Sequence, residues 1–187
     1  MKRIIFTIIA GTVTLFLWGG LSHTFLIDGI GFTPLPEEDK IVESLRQSVS
    51  EKGLYFFPRR DFKEQNPELN AQWEQRFRTE PVGMLIYRPV GGAPFSLSNL
   101  LTQLGFNLIV VAIVTWLVLL MKGTYWRIVF AVTCFGILGC ASVSIIYWNW
   151  YAFPTDFFLA QCFDVITGFF LMGLVAAKKL PVDTPTK

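Results

Sequence analysis

The sequence predicts an all-α membrane protein: a bundle of four transmembrane helices with a small α+β insertion between the first and the second. Three observations predict it. Apolar residues, 52% of the 187, fall into four long blocks rather than being spread evenly. Only 16% are charged, against about 25% in a soluble domain, and the charges crowd into residues 28–88. Each apolar block is close to the ~20 residues that an α-helix needs to cross ~30 Å of hydrocarbon. Lipid offers no partner to a backbone amide, so helix is the expected state of each block.

The first block runs from Ile4 to Leu21 behind Met1-Lys2-Arg3. A secretory signal peptide also opens this way, but its apolar core is shorter and ends in a small-x-small cleavage site. Here the block contains Trp18 and ends in Gly-Gly-Leu-Ser-His, which reads as an uncleaved anchor. The expected organisation is helix 1 within residues 1–21, an insertion over 22–99, helices 2, 3 and 4 at 100–121, 128–147 and 157–177, and a tail over 178–187.

Orientation follows from the short flanks. Lys2, Arg3, Lys122, Arg127, Lys178, Lys179 and Lys187 all fall on one side of the expected membrane. The opposite turn, 148–156, has no Lys or Arg and contains Asp156. The positive-inside rule then puts both termini in the cytoplasm and the insertion outside it. The run Tyr147-Trp148-Asn149-Trp150-Tyr151-Ala152-Phe153-Pro154 reads as an interfacial aromatic belt. A plasma membrane of bacterial type is the expected location.

The insertion carries eleven acidic and nine basic side chains. Pro36 followed by Glu37, Glu38 and Asp39 marks a helix start. Ile41, Val42, Leu45 and Val49 then repeat at helical spacing, and Gly53 is the expected end. Leu54–Phe57 reads as a short strand closed by Pro58. Asn66-Pro67 is a cap followed by proline at the first helical position, and Leu69, Trp73 and Phe77 share one face behind it. Pro81 and Gly83 end that helix, Met84–Tyr87 is a second strand, and Gly91–Pro94 is a linker. The polar loop 58–66 has Arg59-Arg60 as its most basic point. The order is helix, strand, helix, strand, in a unit small enough to need the membrane domain or a partner to complete its core.

Net charge is +2, which does not suggest nucleic-acid binding. Cys134, Cys140 and Cys162 all lie in apolar blocks and read as small packing residues, with no metal-ligand spacing. No Walker A, GxGxxG, HExxH or GxSxG motif occurs, so no cofactor or metal is expected and whether the chain is an enzyme stays open. The expected partners are the bilayer and either another membrane protein or a second copy of the chain. Gly136, Gly139, Cys140, Ala141 and Ser142, with Gly168 and Gly173, line helices 3 and 4 with small residues that permit close approach.

Asp164 is the most unusual residue, an ionisable group inside the fourth apolar block. Gln161 and Thr167 lie one turn away on its face, Gln103 and Asn107 are four apart in helix 2, and Ser142 and Ser144 reach a similar level in helix 3. His23 closes the outer end of helix 1. Together they suggest a polar pocket in the outer half of the bundle, comprising Asp164, Gln161, Asn107, Gln103, Ser144 and His23. Three readings compete: hydrogen-bonded glue at roughly 0.6 kcal/mol per bond, a ligand or ion site, and a partner-subunit contact. A lone histidine makes neither a bis-His haem nor a zinc site, and a catalytic His23–Asp164 pair, both in the outer half, is accompanied by no Ser or Cys in a recognisable nucleophile motif.

The strings Tyr55-Phe56-Phe57-Pro58, Tyr87-Arg88-Pro89 and Tyr147–Pro154 resemble a family of uncharacterised bacterial inner-membrane proteins. The resemblance implies four spans and an outer insertion. It brings no activity and no catalytic residues.

Overall fold

The computed structural model describes residues 1–60, 63, 65–121 and 123–180. The tail 181–187, Lys122, and Asp61, Phe62 and Glu64 of the polar loop lie outside the described residues, as do the expectations attached to them. The chain forms two compact units, Met1–Thr33 with Pro94–Lys187, and Pro34–Ala93.

The first unit is the helical bundle. Its members are α1 (Lys2–Leu21), continued by a π-helical turn Ser22–Leu26, then α4 (Leu97–Leu119), α5 (Tyr125–Gly139) and α7 (Thr155–Lys179). α5 continues through a second π-helical turn, Cys140–Ser144, into α6 (Ile145–Tyr151). Counting these continuations, four helices among the described residues are long and apolar enough to cross a membrane: Lys2–Leu26, Leu97–Leu119, Tyr125–Tyr151 and Thr155–Lys179. Their outer surfaces are correspondingly apolar, with Ile5, Ile9, Leu17, Ile109, Ile113, Trp116, Phe130 and Leu138 exposed. A bundle that turns such side chains outward suits lipid rather than water.

The bundle has an apolar end and a polar end. Val111, Val114 and Val118 of α4, Ile128, Val129 and Val132 of α5, and Met172, Ala176 and Ala177 of α7 form one buried cluster. Glycines let the helices meet there. A Cβ on Gly173 would stand 3.1 Å from the Val129 carbonyl oxygen, and one on Gly136 would stand 3.1 Å from the Ile166 Cα. At Gly139 the nearest atom is 3.8 Å away, so that glycine is not required for contact. Ala141 and Ser142 are exposed and do not belong to the α5–α7 seam. The small-residue stripe is therefore read correctly at Gly136 and Gly173 and too broadly at its far end.

At the polar end the aromatic belt is mostly helical. α6 runs to Tyr151, Ala152 adopts the left-handed conformation at φ 55°, and the Phe153 amide donates to the Tyr147 carbonyl at 3.2 Å. A left-handed residue just past the last turn is a common helix stop. Trp148 stacks on Phe158 and donates to the Thr155 hydroxyl at 3.2 Å, fastening the turn to α7.

The second unit contains α2 (Glu38–Ser48), β1 (Gly53–Phe57), α3 (Pro67–Thr79) and β2 (Gly83–Tyr87), in the expected order. The strands are antiparallel, with Gly53 opposite Tyr87, Leu54 opposite Ile86 and Phe56 opposite Met84. Asn66 caps α3 by accepting from the Glu68 amide at 2.9 Å, with Pro67 at the first helical position. Gly53 does not end α2, as its position suggested. The helix stops at Ser48 with Val49 extended, and Gly53 is drawn into the sheet opposite Tyr87. The Tyr55 ring lies over Gly53, where a Cβ would be 3.0 Å from it. Among the described residues of this unit only Pro58 is buried, and neither helix buries any residue.

Candidate functional site at Asp164

Asp164 sits nine residues into α7, ~14 Å from the helix start at 1.5 Å per residue. Its neighbours come from α1. The π-helical turn that extends α1 widens the helix, with the Ile27 amide reaching back to the Ser22 carbonyl at 2.9 Å. Two consecutive residues of that turn then meet the two oxygens of one carboxylate. The Ser22 hydroxyl donates to Oδ1, and the His23 Nε2 lies 3.4 Å from Oδ2. One turn earlier, the Trp18 indole N–H donates to the Asp164 backbone carbonyl at 2.9 Å.

The site is graded from dry to wet. Ser22 is fully buried, the Asp164 side chain is 14% exposed, and the His23 side chain is 56% exposed. Trp18 is received by Gly168, one turn beyond Asp164, where a Cβ would stand 3.1 Å from the indole Cδ1. Its ring also meets Phe163 edge-on at 5.9 Å. A loop after the π turn closes the same end. Gly31, at φ 79°, passes so near Phe157 that a Cβ there would lie 2.7 Å from the Phe157 Cα. Phe32 contacts the Phe157 ring at 5.6 Å.

On the opposite side of α7, Cys162 forms a disulfide with Cys140, with Cα atoms 5.4 Å apart. These two cysteines are therefore a cross-link rather than the packing residues their apolar surroundings suggested. A block of hydrophobic sequence conceals which cysteines face one another. Cys134 is free.

Of the residues read from the sequence, Asp164 and His23 are brought together. Gln103 and Asn107 pair with each other along α4, the Gln103 amide donating to the Asn107 side-chain oxygen at 2.9 Å. Gln161 is half-buried on α7, and Ser144 is half-buried in the second π-helical turn. Ser142 bonds back to the Leu138 carbonyl at 2.7 Å. Sequence reasoning missed Ser22 and Trp18. Their signal was available: they stand four residues apart, which is one helical face, and Ser22 adjoins His23.

Chemically, this is a carboxylate held by a hydroxyl, with an accessible imidazole beside it. It does not have the layout of a nucleophile triad, because the serine hydrogen bonds to the carboxylate rather than to the histidine. No group of three or more His, Cys, Asp or Glu side chains suited to a metal ion occurs among the described residues. No protein-family model matches the chain, and neither a curated protein nor a solved structure is detectably similar to it.

Proposed function

We propose that this chain is a membrane-integral binding or accessory protein that recognises a partner or lipid through its insertion and the outer half of the bundle. The observation that carries the reading is the state of the Pro34–Ala93 unit. It folds helix, strand, helix, strand, yet buries only Pro58 among its described residues. Leu54 and Ile86 face each other across the sheet at 66% and 76% exposure, and Ile41, Val42, Leu69 and Phe77 are exposed on the helices. A unit of this size with so little interior stabilisation is completed by what it binds. Asp164 fits the same reading, since Ser22, His23 and Trp18 engage it as a tie between α1 and α7.

The insertion is then extracytoplasmic, a periplasmic domain in a bacterial inner membrane, with both termini inside. Support comes from the basic flanks and from the aromatic strings that resemble those of bacterial inner-membrane proteins. The disulfide adds independent support. It lies toward the same end as Asp164 and the 152–154 turn, and disulfides persist where the compartment is oxidising.

A second reading makes the chain an enzyme or carrier for a lipid-like molecule, using Asp164. The exposed His23 imidazole beside a largely buried carboxylate favours it. Affinity purification in gentle detergent separates the two, with mass spectrometry of bound proteins and lipids for wild type and Asp164→Asn. A protein partner or lipid retained by both forms supports the accessory reading. A small molecule or lipid lost only from the folded variant overturns it in favour of the second.

A further inference from the structure

We infer that the sheet face carrying Leu54 and Ile86 rests on the headgroup layer of an anionic membrane. This deepens the binding reading above, and depends on it, by naming the surface bound. Chain length supports it first. Only residues 88–96 separate the end of β2 at Tyr87 from the start of α4 at Leu97, a span-forming helix. At no more than ~3.6 Å per residue, the sheet is leashed within about 35 Å of the first residue of that helix. Tethering on this scale presents a lipid surface at an effective concentration that an untethered protein partner does not reach.

The chemistry along the leash is continuous with that of the sheet face. Val90 and Phe95, between the sheet and α4, and Leu97, the first residue of α4, are exposed large apolar side chains. Phe25, Leu26 and Phe32 are the same on the segment that follows α1. Aromatic and aliphatic side chains beside a span are at home in the interfacial layer.

Charge points the same way. Lys52 precedes Gly53, and Arg88 follows Tyr87, the residue paired with Gly53, so both cations stand at one end of the sheet. Arg59 stands at the other end, beyond Phe57 and Pro58. All three are exposed. Three ion pairs among the described residues of this unit, Lys40–Glu37, Arg46–Glu43 and Arg76–Glu80, lie on or at the ends of the helices and do not involve them. An apolar face with cations at both ends matches acyl chains beneath anionic headgroups.

The test places an environment-sensitive fluorophore on Ile86→Cys, in a Cys134→Ala background of the full chain, reconstituted in nanodiscs. The same fluorophore on Ser48→Cys of α2 serves as the control, and Leu54→Cys replaces Ile86→Cys if that variant does not fold. Headgroup-nitroxide lipid is expected to quench the sheet site about twofold or more above the Ser48 site, and more strongly when phosphatidylglycerol is mixed into phosphatidylcholine. Equal quenching in both lipid compositions overturns the anionic assignment. Free access of aqueous iodide to the sheet site overturns lipid contact. Protection from both iodide and nitroxide means that a protein or a second copy covers the face, which overturns lipid contact while leaving the binding reading intact. Loss of the binding reading itself is read separately, in the purification experiment.

Discussion

Cys162 and Asp164 stand two residues apart on α7 and serve opposite neighbours. At about 100° per residue they project roughly 200° apart, so α7 is held from two sides at one level. Cys162 is bonded to Cys140 in the π-helical turn after α5, and Asp164 to Ser22 in the π-helical turn after α1. Each π turn places a side chain toward α7 where the linkage is made. The apolar cluster fixes the other end of the bundle.

Removal of the carboxylate is expected to destabilise more than removal of the hydroxyl. In Asp164→Ala the fully buried Ser22 hydroxyl keeps only a long 3.4 Å contact with the Gly19 carbonyl, at a cost of about 1–3 kcal/mol. Ser22→Ala leaves Asp164 with His23 beside it and costs about 1 kcal/mol. Asp164→Asn keeps an acceptor for Ser22 and falls between them. Unfolding in mixed micelles gives the order, and a larger loss in Ser22→Ala than in Asp164→Ala would contradict the proposed tie.

Glycine substitutions separate contact from mere smallness. Gly173→Ala pushes a methyl against Val129 backbone, which cannot turn aside, and is expected to cost about 1–3 kcal/mol. Gly139→Ala finds its nearest atom at 3.8 Å and is expected to be tolerated. Gly168→Ala meets the Trp18 indole, so its effect should shrink in a Trp18→Ala background. Thermal stability of these variants in one detergent measures all three expectations.

Peptide mapping without reductant is expected to recover Cys140 linked to Cys162 and Cys134 as the alkylated thiol. Recovery of all three as free thiols, from protein isolated under alkylating conditions, would remove one of the two ties on α7.

Ala152 holds a left-handed conformation that costs an alanine roughly 1 kcal/mol and a glycine almost nothing. Ala152→Gly should therefore stabilise the bundle slightly, by up to about 1 kcal/mol, seen as a small rise in the thermal midpoint.

The four long helices and the order of the insertion were legible in the sequence because they follow from local signals. Block length, the Asn66-Pro67 cap and short runs such as Met84–Tyr87 depend only on nearby residues. What escaped was pairing across the bundle. Asn107 is bonded to Gln103 on its own helix, while Ser22 and Trp18 reach Asp164 from α1. Those partners depend on helix rotation, and a uniformly apolar span leaves rotation unmarked. The π turns shift it further, since one extra residue in a turn re-aims every side chain that follows. Cys140 and Cys162 illustrate the same loss: their meeting is a matter of facing, not of spacing.

If the insertion binds while Asp164 ties the helices together, the two roles come apart under mutation. Co-purification from native membranes tests this most directly, comparing Asp164→Asn with the double variant Leu54→Ser/Ile86→Ser, each checked for folding. Asp164→Asn is expected to keep its bound protein or lipid and lose thermal stability, whereas the sheet variant keeps its stability and loses what is bound. A folded Asp164→Asn protein stripped of its ligand, beside a sheet variant that retains it, would contradict this division of roles.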